Sequence, residues 1–509
     1  MAQIKAENLT FSYEGSADTI LDNVSFCIDT NWKLGLIGRN GKGKTTLLNL
    51  LLGRYEYTGS ITSGTRFDYF PYRYNEEDLK INPAILIETW KPHVEMWQVM
   101  VQMNQIGMDS ECLYRPLDTL SHGERTRVML AVLFSDENDF LLIDEPTNHL
   151  DSAARSIVKD YLASKKGFIL VSHDRDLLDA VCDHMLVLNR CSIEVQTGNF
   201  STWWENKKRA DDFARAENAK HINEIEKLRG AIYRSSRWAA KSENSKIGFD
   251  PVKETDRNIS SRSHIGGKTK KMQARVKSYE VRVGREIEEK EGLLRDIETV
   301  EDLKIMPLVF HKEVLIDARD LSLRYEGSKA LFEKVAFCVN RFDRTVIRGG
   351  NGCGKSSLIK AILNSLSERG DSDHGSPLIG GTLKVASNLT VSVVDQDTSF
   401  LKGGIDDFCT MRGLDRSLFL TLLRKLDLGR EQFVKNIEDL SEGQKKKILI
   451  AASLMTPAHL YIWDEPLNYI DVFSRMQIEK LILDHKPTML IVEHDERFRE
   501  RIATKYIDL

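Results

Sequence analysis

"GRNGKGKTT", Gly38 to Thr46, has the form G-x-x-x-x-G-K-[ST]. The apolar run "KLGLI" leads into it and the apolar-periodic "LLNLLL" follows, so a strand, a tight loop and a helix are predicted in that order. That context suits a phosphate cradle. Gly38, Gly41 and Gly43 let backbone amides close around phosphate oxygens, with Asn40 and Thr46 as further polar groups of the loop. Lys44 brings a cation to the β/γ oxygens, and Thr45 offers a hydroxyl to Mg²⁺.

The same loop returns as "GGNGCGKSS", Gly349 to Ser357, and each copy is followed by the same series of motifs at an offset of roughly 310 to 320 residues. The first series continues "LSHGE" (Leu120 to Glu124), "LLIDEPTNHLD" (Leu141 to Asp151) and "LVSHD" (Leu170 to Asp174). The second continues "LSEGQ" (Leu440 to Gln444), "LYIWDEPLNYID" (Leu460 to Asp471) and "LIVEHD" (Leu490 to Asp495). A duplicated α/β fold follows: two phosphate-loop domains, residues 1–201 and 302–509, separated by an insert, 202–301, in which charge rises and apolar spacing turns helical.

In the second loop Gly349, Asn351, Gly352, Gly354, Lys355, Ser356 and Ser357 repeat the first set. Asp144 and Asp464 end apolar strands, which brings each carboxylate beside its loop to hold Mg²⁺. The adjacent Glu145 and Glu465 are expected to polarise the attacking water. His173 and His494 close further apolar strands, where they can contact the γ-phosphate and orient those glutamates.

The length suits two domains plus an extra element, and 41% hydrophobic with 29% charged residues suits a globular protein. No run approaches the roughly 18 apolar residues of a membrane span. The start, "MAQIKAENLTFSYEG", has polar residues where a signal peptide carries its apolar core, so a cytoplasmic protein is expected. The seven cysteines form no C-x-x-C pair, which argues against zinc, iron–sulfur or dithiol chemistry. A net charge of −4 predicts no affinity of the whole molecule for nucleic acid; any such affinity must be local.

Phosphate loop, "LSxGE/Q", strand plus "DEP" and switch histidine together resemble the ATP-binding-cassette ATPases. The resemblance implies ATP and Mg²⁺ as cofactors and a head-to-tail sandwich of the two cassettes. In it Ser441 and Gly443 complete the site of Lys44, while Ser121 and Gly123 complete that of Lys355. Tyr13 and Tyr325 stand about 25 residues ahead of their loops, where the family stacks an aromatic on adenine; a core role remains open for each. The sequence departs from the pattern at His122 and Glu442. The family's glutamine, a metal contact, is matched by Gln396 but replaced near Tyr72. Both cassettes keep their glutamate, so both are expected to hydrolyse ATP.

The insert reads as a helical hairpin. Met272, Val276, Tyr279, Val283, Ile287 and Leu294 fall on one stripe, and Lys268, Lys271, Arg275, Arg282 and Arg285 on a neighbouring one. Phe213, Ile222, Ile225, Leu228 and Ile232, within an arm from about Asn206 to Ala240, are expected to supply the opposing seam. From Arg229 to Arg285 there are fifteen Lys/Arg against five Asp/Glu, which points either to a solvated charged coiled coil or to polyanion contact. Trp238 and His264 near the tip, about 241–267, could stack on bases.

Tandem cassettes joined by a long charged linker resemble the ABC-F translation factors, and the similarity covers essentially the whole chain. Only about 80 residues separate Gly38 from Ser121, leaving little room for the arm of many housekeeping members. "TNWKLGLIGRNGKGKTTLL", "GFILVSHDR" and "LYIWDEPLNYIDVF" are similar to the Lsa-type antibiotic-resistance proteins. That resemblance implies a monomer that binds the ribosome, its linker reaching P-site tRNA and large-subunit rRNA, and that displaces lincosamides, streptogramin A and pleuromutilins. A housekeeping translation factor, a transporter ATPase subunit and, more weakly, a DNA-repair protein are the other classes; no membrane or DNA partner is expected.

Overall fold

The computed structural model describes residues 2–13, 19–136, 139–148, 150–189, 192–244, 270–271, 274–279, 281–285, 303–327, 329–366 and 378–509. They fall into two compact units. One joins Met1–Trp203 with Val300–Leu509 and so holds both cassettes; the other is Trp204–Thr299.

The apolar runs around each phosphate loop become strands buried on both faces, which is what a parallel sheet covered by helices requires. In the first cassette the sheet order is Arg66–Phe70, Asp139–Asp144, Phe168–Val171, Lys33–Ile37, His184–Leu188 and Ile193–Thr197, parallel except for the last pair. The second orders Val391–Val394, Leu460–Asp464, Met489–Val492, Arg344–Arg348 and Lys505–Asp508, all parallel. Beside each lies a three-stranded antiparallel sheet, centred on Gln3–Ser12 in one cassette and Val314–Arg324 in the other. Leu34, Leu36, Leu47, Leu142, Ile169 and Leu186 form one core, and Ile316, Ile347, Leu358, Ile462, Leu490 and Ile507 its counterpart.

The "LSxGE/Q" motif is a helix start. Ser121 accepts from the amide of Glu124, whose carboxylate reaches back to the Ser121 amide; Ser441 and Gln444 repeat the arrangement at Glu442–Met455. Such a capping box satisfies two otherwise orphaned amides and stops the helix at one defined residue. The serine and glycine are thereby held at the helix N-terminus, with both serines exposed and Gly443 buried.

In the second unit, the helix Phe200–Asn244 runs 45 residues, so it begins earlier and extends further than the arm expected from Asn206 to Ala240. Its first turn is anchored by Phe200 and Trp203, both 2% exposed. Across the hairpin, Ile225 and Val283 are buried together, with Leu228, Ile232 and Tyr279 packed on them. Phe213 and Ile222 do not join this seam; they are 59% and 47% exposed. At 100° per residue both point about 90° away from the line through Ile225, Leu228 and Ile232. Ala214, Asn218 and His221 hold the seam positions instead, and Ala214 is buried. Lys271, Arg275, Arg282 and Arg285 are exposed. Lys268, Met272, Ile287, Leu294, His264, the side chain of Trp238 and the tip beyond Asn244 lie outside the described residues.

Candidate functional site: two nucleotide pockets

Three neighbouring strands end at each site. In the first cassette Lys33–Ile37 delivers the phosphate loop, Asp139–Asp144 ends on Asp144, and Phe168–Val171 leads to His173. All three arrive at the carboxyl edge of a parallel sheet, where doubly wound folds bind ligands. Gly43 and Gly354 take φ of 93° and 102°, a backbone region open to glycine at little cost.

Tyr13, Asn40, Gly41, Gly43, Lys44, Thr45, Thr46, Asp144, Glu145 and His173 line one cavity of about 330 Å³. A second cavity, about 800 Å³, is lined by Asn351, Gly352, Gly354, Lys355, Ser356, Ser357, Gln396, Glu465 and His494 of the second cassette together with Ser121 and Gly123 of the first. The sequence motifs therefore meet across the cassettes at the second site. Ser441 and Gly443 do not line the first cavity. Gly443 lies one step behind it: Asn40 Nδ2 donates to the Tyr469 carbonyl (3.0 Å), and that same carbonyl would lie 2.5 Å from a Cβ placed on Gly443. Gly443→Ala is accordingly expected to displace Tyr469 and break its bond to the first phosphate loop. Nucleotide held by the first loop should dissociate about tenfold faster, the worth of one lost hydrogen bond, read as release of labelled nucleotide from a variant with unchanged circular dichroism.

Lys44 Nζ bends back to the Gly38 carbonyl (2.7 Å), and Lys355 Nζ to those of Gly349 (3.0 Å) and Gly350 (2.8 Å). Burial lowers the Lys44 pKa, opposed by the nearby Asp471, Glu145 and Asp144 charges. Tyr13 and Tyr325 bond through their hydroxyls to Thr46 (2.8 Å) and Ser357 (3.0 Å), which fixes both rings beside the loop ends.

Thr45 Oγ1 donates to Asp144 Oδ2 at 3.0 Å. Ser356 bonds Asp464 likewise, yet Asp464 Oδ1 is buried with no hydrogen-bond partner. Burial pushes Asp464 up to about 6, against the Ser356 hydrogen bond. An orphaned buried carboxylate oxygen beside a serine hydroxyl and a phosphate cradle fits a hard divalent cation that takes its remaining ligands from phosphate and water.

Glu145 and Glu465 both sit at positive φ, 52° and 46°. Non-glycine residues held there carry strain that the surrounding fold must impose. His173 Nε2 is 3.2 Å from Glu145 Oε1, and His494 Nε2 is 3.4 Å from Glu465 Oε1. Burial and then the Lys44 charge hold His173 well below the usual imidazole range, so its ring is neutral at pH 7. Burial, reinforced by Asp144, raises Glu145. At Glu465 burial is outweighed by the His494 hydrogen bond, and its carboxyl lies below the ordinary value.

Sequence reasoning passed over several neighbours. Asn468 Nδ2 donates to Glu465 (2.6 Å), joining the expected Gln396, whose Nε2 also donates there (3.0 Å). In the first cassette Tyr69 donates to Asp144 Oδ2 at 3.1 Å. Lys447 and Asp471 form a wholly buried pair at 2.9 Å beneath the first site. The repeated N-x-x-D after each "DEP" was the available signal for Asn468 and Asp471; nothing in the sequence singled out Tyr69.

The ABC transporter family pattern matches residues 21–148 and 332–468, together just over half of the chain. The chain belongs to the ABC transporter family. As a member it binds and hydrolyses ATP, and its two matched regions are the two cassettes described above. It is 25% identical to the ribosome protection protein VmlR of Bacillus subtilis, over 96% of this chain and 84% of that one. It is also 25% identical to the energy-dependent translational throttle protein EttA of Haemophilus influenzae, over 96% and 89%. The archaeal ribosome recycling factor aABCE1, solved with the stalk protein aP1, shares its fold at a TM-score of 0.61 and 19% identity, covering 98% of this chain and 87% of that one. Tandem cassettes and full-length relatives of this kind make it an ABC-F protein. No described helix of this ABC-family chain is long and apolar enough to cross a membrane.

Proposed function

We propose that this ABC-F ATPase is a ribosome protection factor. The observation that carries the reading is the second compact unit, 204–299, a helical insertion between two complete cassettes that presents Lys271, Arg275, Arg282 and Arg285 to solvent. A basic arm suits structured RNA, binding mainly through phosphates.

In this reading ATP closes the cassettes as a monomeric sandwich in the cytoplasm, and the closed state has the higher affinity for the ribosome. The linker enters the exit site, reaches P-site tRNA and the peptidyl-transferase centre, and dislodges lincosamide, streptogramin A or pleuromutilin drugs. Thr45 with Asp144, and Ser356 with Asp464 and the Gln396 amide oxygen, would hold Mg²⁺, which supplies charge neutralisation at the phosphates. Lys44 and Lys355 turn from their loop carbonyls onto phosphate oxygens. Glu145 and Glu465 accept a proton from the attacking water, steadied by His173 and His494 respectively. Tyr13 and Tyr325 stack on adenine. Ser121 and Gly123 close on the nucleotide of Lys355, and Ser441 and Gly443 complete that of Lys44.

The resemblance to a ribosome protection protein favours drug displacement, and that to a translational throttle favours a housekeeping factor. Expression in a susceptible host separates them. Protection predicts a several-fold rise in the inhibitory concentration of these drugs that disappears in the Glu145→Gln/Glu465→Gln double variant; no rise leaves the housekeeping role.

Charge gives a second test. Neutralising Lys268, Lys271 and Arg275 together should weaken ribosome binding and reduce the slope of log affinity against log salt by about one per residue. An unchanged slope would return those residues to a merely solvated helix face.

A further inference from the structure

The duplication allows one half of the chain to be read against the other. Fifteen residues after Asp144 stands Lys159, and fifteen after Asp464 stands Glu479; two residues after His173 stands Arg175, and two after His494 stands Glu496. Both charges are reversed together, so each half carries the complement of a pair whose sign differs between the halves.

The two pairs are in different states. Arg175 and Glu479 meet across the cassettes at 2.6 Å with side chains only 2% and 4% exposed, and Arg501 adds a second contact to Glu479 at 2.6 Å. Their counterparts, Lys159 and Glu496, face one narrow cleft beside His494 without forming an ion pair, and Glu496 is exposed. The nucleotide pockets follow the same division. The first phosphate loop is tied to the second cassette by Arg39–Asp427 (3.2 Å) and by Asn40 on the Tyr469 carbonyl. The second faces Ser121 and Gly123 across the larger cavity.

Local chemistry differs in the same sense. Strand pairing places Phe70 against Ile143 and Val394 against Trp463, so Tyr72 stands where Gln396 stands. Gln396 donates to Glu465, whereas Tyr72 turns to Asp68 (2.6 Å) and stacks on Trp90 at 5.1 Å. Tyr69 reaches Asp144 instead. Among the described residues no side-chain amide bonds Glu145, while Glu465 has two.

We propose that the two ATP sites divide the work: the first, latched by Arg175–Glu479, retains its nucleotide, and the second, closed in each cycle by Lys159 meeting Glu496, carries most of the turnover. This rests on the sandwich described under Proposed function. Tyr69 is then a positioning residue, holding Asp144 in a site built for retention.

The test combines turnover with nucleotide exchange. Glu465→Gln should lower phosphate release at least tenfold and Glu145→Gln no more than about threefold. Labelled nucleotide should leave the wild-type protein in two phases, one at least tenfold slower. Arg175→Glu should abolish the slow phase, and Arg175→Glu/Glu479→Lys, which transplants the pair of the other side, should restore it. Should the Arg175 variants fail to fold, the other pair decides: Lys159→Glu should lower turnover without touching the slow phase, and Lys159→Glu/Glu496→Lys should recover it. Equal losses in the two glutamine variants, a single exchange phase in the wild type, or no recovery in the reversed pair would each overturn the proposal. A double glutamine variant that still hydrolyses ATP would instead remove the site reading beneath it.

Discussion

The Glu145→Gln/Glu465→Gln double variant is expected to lose ATP turnover by at least about a hundredfold while still binding ATP. Glutamine keeps the size and hydrogen-bonding reach of glutamate, and the fold already holds both positions at positive φ. On the proposed mechanism, what disappears is the group beside His173 and His494 that accepts a proton from water. The sandwich should then close and remain closed. If the closed state is the form that binds ribosomes, ATP-dependent co-sedimentation should be stronger for this variant than for the wild type, which escapes by hydrolysis. Absence of ATP-dependent association would remove the proposed function while leaving the ATPase assignment intact.

Lys447→Ala should carry the largest cost in stability. Lys447 and Asp471 are 2% and 0% exposed, and Asp471 also accepts from the Ser474 amide and hydroxyl at 2.9 Å each. Removing one member of such a pair leaves the other buried and uncompensated, at about 3–5 kcal/mol. The unfolding midpoint of the cassettes should fall by about 10 °C. Lys447→Met/Asp471→Asn, which removes both charges, should cost much less.

The sign of the pH dependence follows from the carboxylate. Burial raises Asp471, but the Lys447 charge and the Ser474 donors overcome it and hold its carboxyl far below the usual range. Its stabilisation is therefore fully present above about pH 5 and is lost only as acid passes below the unfolded value near 3.9. The Lys447→Ala deficit should shrink on acidification; a pH-independent deficit would locate the effect in packing instead.

Much of the architecture was legible because the phosphate loop, "DEP" and switch histidine are short local patterns whose chemistry fixes their neighbours. Strand runs such as "KLGLI" and "LYIWD" carried the parallel sheets in their unbroken apolar character. The linker seam was legible only in part. Phe213 and Ile222 drew attention by hydrophobicity, yet helical phase gives their places to Ala214 and to the polar Asn218 and His221. Tertiary relations were hidden. Neither the left-handed backbone of Glu145 and Glu465 nor the turning of Tyr72 toward Asp68 has a local signature, because each is imposed by strands distant in sequence. The reversed charges at Lys159, Arg175, Glu479 and Glu496 stood in the open but had no meaning until one pair was seen touching.

That reversal also settles whom each half will accept as a mate. A first cassette facing a copy of itself would set Arg175 against Lys159, and a second facing its own copy would set Glu496 against Glu479. Either like pairing repels, and only the unlike pairing satisfies both positions. Two molecules are thus discouraged from joining through like halves, and a sandwich that satisfies both positions sets a first cassette on a second.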